Sequence, residues 1–209
     1  MAQRSEEGDG GARPPDYTVI GPVRTRTFRV LWMLEELGAP YRHAPHMPQS
    51  AEVRAINPSG KVPVLVADGV PLTDSTAIIQ FLADRHGRFT APPGTIERAR
   101  QDGFTQFLLD EFDALLWTAA RHSFILPEHL RQSAIKDTLR WEFRNAQAEL
   151  VRRMGQGPYL MGAAFSVPDI ILTHCCNWAT VARFPIEEDA IRDYLERTRA
   201  RDAYRRLMG

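Results

Sequence analysis

Apolar positions fall into two textures along the chain. Over the first 87 residues, short β-branched runs alternate with helical stripes. "YTVIG" (17–21) predicts a strand. Val30, Met33, Leu34 and Leu37 then recur at i, i+3, i+4 and i+7, with Phe28, Leu31 and Trp32 widening the apolar surface and Gly38 placed as a C-cap. That helix is expected to be buried on more than one side. "YRHAP" (41–45) predicts a second strand, and a strand–helix–strand of this length a right-handed parallel unit. After the break at "NPSG" (57–60), strands 62–67 and 70–73 flank Asp68-Gly69, the signature of a hairpin. Ile78, Phe81 and Leu82 mark a further helix ending near Gly87.

Past the Pro/Gly connector "FTAPPGT" (89–95) the texture is helical only. Phe104, Phe107, Leu108, Phe112, Leu115, Leu116 and Ala119 trace one face; Ile135, Leu139, Phe143, Ala146, Leu150 and Met154 a second. Ile171, His174, Cys175, Trp178 and Ala182 trace a third, and Ile191, Tyr194 and Leu195 a shorter fourth. The division expected is a leader over 1–16, an α/β domain over 17–88, a linker over 89–95 and an all-helical bundle over 96–209.

Composition narrows the function classes. The 209 residues carry 26 basic and 26 acidic side chains, which argues against nucleic-acid binding or a polybasic membrane patch. No apolar run approaches the roughly 20 residues of a membrane span. "MAQRSEEGDGGARPPD" lacks an apolar signal core and reads as a disordered leader, so a cytoplasmic location is expected. Cys175 and Cys176 are adjacent and build no disulfide framework. They read as inert core thiols, His174 as a hydrogen-bonded core histidine. The six histidines show no ligand spacing, so no metal is expected.

Three stretches carry candidate chemistry. At Val62-Pro63 the proline reads either as a strand-start residue or as a cis bond that leaves the Val62 backbone free to pair with an extended peptide. Asp74-Ser75 precedes a helix, where Asp and Ser are preferred N-caps. The same helix terminus suits a carboxylate, and Asp74 beside it an ammonium, so a ligand with a free amino-acid end satisfies both. Ser166 and Asp169 form an S-x-x-D capping box with Phe165 and Ile170 as a hydrophobic staple, a structural feature. Trp117, Arg121, His122 and Trp178 read as core or rim packing, or as the lining of an acceptor pocket.

The order of elements, with "RTFRVLWMLEELGAPY", "NPSGKVPVLV", "LTDSTAIIQFLADRHG" and "YLMGAAFSVPDI", resembles the cytosolic glutathione S-transferases, in particular bacterial theta-, delta- and beta-like members. The resemblance implies a thioredoxin-like N-terminal domain, an all-α C-terminal domain, a cis Pro63, a homodimer and a detoxifying conjugation of glutathione to an electrophilic small molecule. It assigns the Val62 backbone to the cysteinyl unit of glutathione, Asp74 and Ser75 to its γ-glutamyl end, and Lys61 to its glycyl carboxylate. Counted back from Arg29, the catalytic serine of theta- and delta-like members falls on Thr25. A hydroxyl donating to sulfur at a helix N-terminus favours the thiolate of a thiol whose free pKa is about 8.5. Thr25 and Thr27 also read as N-caps, and Thr27 or Arg26 are alternative activating groups, Arg26 through its charge. Asp74 stands where Glu or Gln is common. These two departures leave open a non-catalytic binding protein that keeps the fold, or a glutathione-dependent isomerase or reductase.

Overall fold

A computed structural model describes residues 16–209. Apart from Asp16, the expected leader lies outside the described residues. β1 (Tyr17–Ile20), α1 (Thr27–Leu37) and β2 (Arg42–Ala44) form the parallel unit, with Thr18 opposite Arg42. A short α2 (Ala51–Ile56) follows, then β3 (Val64–Ala67), β4 (Val70–Thr73) and α3 (Ser75–His86). The sheet order is β2-β1-β3-β4, with β3 antiparallel to both neighbours. Asp68 and Gly69 both take positive φ, 50° and 82°, as a two-residue hairpin turn of this hand requires. The strand expected over 62–67 is shorter at its start, because Val62-Pro63 is a cis peptide and ladder pairing begins at Val64.

α1 is buried on all sides from Thr27 to Leu34 and ends at Gly38 in the left-handed region. Each large apolar side chain so buried contributes about 1.5–3 kcal/mol, which holds an 11-residue helix too short to form alone in water. Arg29, at the centre of that buried run, is the one cation in it.

The helical part comprises α4 (Ile96–Leu108), α5 (Ala114–Ala120), α6 (Ile135–Arg153), α7 (Val167–Ala182), α8 (Asp189–Arg199) and α9 (Asp202–Met208). The apolar face expected over 104–119 is present but not one continuous α-helix. A π-helical turn, Leu109–Asp113, joins α4 to α5, and a second, Arg121–Ile125, follows. Within the first, the neighbours Phe112 and Asp113 are both buried.

α7 starts at the expected box. The Asp169 carboxylate accepts the Ser166 N–H (2.8 Å) and hydroxyl (3.0 Å), the Leu160 N–H (2.9 Å) and the Tyr194 hydroxyl (2.7 Å). Burial raises its pKa and outweighs these four hydrogen bonds.

One apolar core runs through both parts of the chain. At their junction Phe28 and Trp32 of α1 pack edge-on against Tyr204 of α9. Arg201 pairs with Glu36 through Nε–Oε1 (2.6 Å) and Nη2–Oε2 (2.7 Å) while lying 4.0 Å over the Phe165 ring.

Candidate functional site

The loop from β1 to α1 is fixed at Gly21, whose φ is +129°. Its N–H donates to the Ala44 carbonyl at 3.0 Å. A Cβ here would lie 2.3 Å from Thr27 Oγ1 and 2.8 Å from Val62 Cβ, so only glycine lets the loop and the Val62-Pro63 turn come this close. Ladder pairing starts past the cis bond, and the Val62 backbone lies outside both strand registers.

Thr25 Oγ1 donates to the Pro22 carbonyl at 2.8 Å and lies 2.9 Å from Thr27 Oγ1. It also accepts the Thr27 N–H at 3.2 Å. With its one proton on Pro22, the hydroxyl accepts from both the hydroxyl and the amide of Thr27, which uses its full bonding capacity. The N-cap of α1 is Arg26, not Thr25 or Thr27, and its side chain makes no capping bond. Thr25 nevertheless covers one amide of the first turn.

Asp74 is the N-cap of α3. Its Oδ1 accepts the Thr76 and Ala77 amides at 2.9 and 3.1 Å, on a backbone held at φ +68°. Such a conformation is strained for a non-glycine residue and recurs at binding sites. Asp74 Oδ2 and the Ser75 N–H take no partner among the described residues. Ser75 is buried, and its hydroxyl accepts from Arg29 Nη1 at 3.3 Å. Lys61 is exposed; its backbone is tied into the 57–60 turn through Ser59 Oγ and Asn57 Nδ2.

Beneath these residues lies a buried ionic hub. Arg26 reaches Asp113 through Nε (3.0 Å to Oδ2) and through an Nη2–Oδ1 pair, with its guanidinium over the rings of Trp117 (5.2 Å) and Trp178 (5.0 Å). Arg29 Nη2 donates to Asp113 Oδ2 at 2.5 Å and to Cys175 Sγ at 3.2 Å, and its Nε to His174 Nδ1 at 3.2 Å. Burial pushes the Asp113 pKa up, but the two guanidiniums overcome it and hold the group at about 2. Burial, helped by Arg29, drives His174 well below its ordinary value and so keeps it neutral. Burial pushes the Cys175 thiol up to about 12, and Cys176 higher still. Both cysteines are inert core thiols and His174 a bonded core histidine, as their helical face predicted.

Thr25, Arg26, Val62, Pro63, Asp74 and Ser75 thus surround the N-termini of α1 and α3, with Lys61 beside them. Sequence reasoning missed Arg29 and Asp113. The signal for Arg29 was a lone arginine inside an apolar stripe, which demands a buried acid. Of the four acceptor-pocket candidates, only Trp117 and Trp178 share a partner. Arg121 donates to Thr118 Oγ1 (3.2 Å), and His122 accepts the Gln132 N–H (3.1 Å). Among the described residues there is no cluster of His, Cys, Asp or Glu suited to a metal, and no helix long and apolar enough to cross a membrane.

A bacterial transferase, solved as the ternary complex of BphK, superposes with a TM-score of 0.81 over 91% of this chain and 97% of its own, at 21% identity. The chain has the glutathione S-transferase fold. A theta-class glutathione S-transferase from Xanthomonas axonopodis pv. citri, solved with glutathione bound, matches at TM-score 0.75 and 26% identity, over 93% of this chain and 98% of that one. Residues 24–85 match the family model for the glutathione S-transferase N-terminal domain. Glutathione S-transferase 3 of Schizosaccharomyces pombe is 36% identical over 69 residues, 30% of this chain. The matches cover less than half of the curated relatives' lengths, 28%, 31% and 43%. The likeness in sequence is thus to the family's N-terminal domain, and the likeness in fold extends over nearly the whole chain.

Proposed function

We propose that this protein binds glutathione and activates its thiol for attack on an electrophilic small molecule. The observation that carries the reading is the meeting of three distant stretches at two helix N-termini, Gly21 and Thr27 with Val62 and the Ser75 hydroxyl with Arg29 of α1, which we take as one binding face. That face presents a peptide backbone outside the sheet registers, an unpaired helix-terminal amide and a free carboxylate oxygen. Glutathione offers a complement to each: the Val62 backbone pairs with the cysteinyl unit, and the Ser75 N–H and Asp74 Oδ2 take the γ-glutamyl carboxylate and ammonium. Lys61 meets the glycyl carboxylate. The sulfur then lies by Thr25, Arg26 and the start of α1, where Thr25 donates to it on turning from Pro22. Solved proteins of this fold that hold glutathione add support.

Under this proposal residues 17–88 are the glutathione-binding domain and 96–209 supply the acceptor side, in a cytoplasmic homodimer of theta-like type. Catalysis rests on orientation and on raising the thiolate fraction, with the carbon–sulfur bond formed as the electrophile's leaving group departs. The test is a calorimetric glutathione titration with thiolate absorbance followed across pH and turnover of a generic aryl halide. Micromolar-to-millimolar binding, a bound-thiol pKa well below about 8.5 and steady conjugation are expected. Absence of binding would refute the reading.

A further inference from the structure

Resting on the glutathione reading above, we propose that the Arg26 guanidinium, fixed by Asp113 and by contact with the Trp117 and Trp178 rings, is the principal group holding the bound sulfur as thiolate. Thr25 has a lesser share.

Charge in the hub does not balance. Arg26 and Arg29 are two cations sharing one carboxylate, Asp113, and their remaining neighbours His174, Cys175 and Ser75 are neutral. One positive charge is left uncompensated in a mostly buried site. It does not reside at Arg29, whose side chain is 1% exposed and whose three nitrogens all have partners. Arg26 is 26% exposed, and its Nη1 has no partner among the described residues. The excess charge is therefore carried by the partly exposed Arg26, at the N-cap of α1. Two indoles contact the guanidinium, and two of its nitrogens are held by Asp113, so its position is set before any ligand arrives. Asp74 is the other acid in electrostatic reach of Arg26. It is exposed, with one oxygen committed to the α3 amides and the other assigned to the ligand's ammonium.

Thr25 is the weaker candidate. Its proton is on the Pro22 carbonyl and its oxygen accepts twice from Thr27. To donate to sulfur it must break the first bond, whereas Arg26 breaks none. The step itself is a deprotonation: the bound thiol loses its proton to solvent, and the sulfur anion takes the place facing Nη1.

Thiolate absorbance of the glutathione complex, titrated across pH for wild type, Arg26→Gln, Arg26→Lys and Thr25→Val, tests this, with calorimetric affinity measured in parallel. Arg26→Gln should raise the bound-thiol pKa by about 1–2 units, as loss of a neighbouring cation does. Arg26→Lys should recover most of that shift, and Thr25→Val should raise the pKa by under about half a unit. A wild-type complex with lowered pKa that Arg26→Gln leaves in place overturns the inference and spares the glutathione reading. So does a Thr25→Val rise equal to or above that of Arg26→Gln, or above about one unit should the Gln variant fail to fold. No glutathione binding by the wild type sinks the underlying reading instead.

Discussion

Two buried aspartates divide this molecule's polar interior, and they behave oppositely. Asp113, 10% exposed, faces two guanidiniums and is held ionised with its pKa at about 2. Asp169 is fully buried and accepts four hydrogen bonds, all from neutral donors, yet its pKa is raised. The hydrogen bonds at Asp169 offset only part of the cost of its burial, whereas the two guanidiniums more than offset that of Asp113. The first site joins the two parts of the chain around the candidate chemistry. The second locks α7 to the preceding loop and to α8.

The same isosteric change should have unequal effects at the two sites. Asp113→Asn leaves two mostly buried arginines without their anion and should cost about 3–5 kcal/mol in urea unfolding. Asp169→Asn keeps shape and removes one acceptor oxygen, and should cost less, about 1–3 kcal/mol. Equal losses, or a larger one at Asp169, would mean that the guanidinium pairing adds nothing to the hub.

The acid limb sharpens it further. The folded pKa of Asp113 lies below the ordinary carboxylate value, so its contribution is complete above that value and disappears as pH falls through about 2. That shift corresponds to about 2 kcal/mol. Asp169 has the opposite sign: its raised pKa makes the fold relatively more stable as pH falls through the ordinary value. Unfolding free energy measured from pH 6 to pH 2 should therefore show the Asp113→Asn deficit shrinking in acid and the Asp169→Asn deficit growing. Parallel curves would contradict the opposite directions of the two shifts.

Legibility followed the range of each signal. Gly38, Gly87, the Asp68-Gly69 turn and the S-x-x-D box were readable because each is decided by residues within a few positions. α2 and α9 were missed because they span six and seven residues and bury little, Val53 in one and Ala203 with Tyr204 in the other. Neither is long enough to show a period. The cap of α2, Ser50 accepting the Val53 N–H, was the one usable hint. At the site, Asp74 and Ser75 were placed correctly on α3, but the inward turn of the Ser75 hydroxyl toward Arg29 was not readable. Asp113 lay furthest from reach. Its partners are 84 and 87 residues away, and its burial depends on a π turn that no apolar spacing announced.

Arg29 also limits how the molecule can be taken apart. Its guanidinium is enclosed by groups on both sides of the 89–95 connector: Ser75 before it, Asp113, His174 and Cys175 after it. The α/β half is consequently no portable cassette. Grafted onto a foreign helical partner, it would bring a cation into a new dry interface, and any recipient must supply an acid at that one spot.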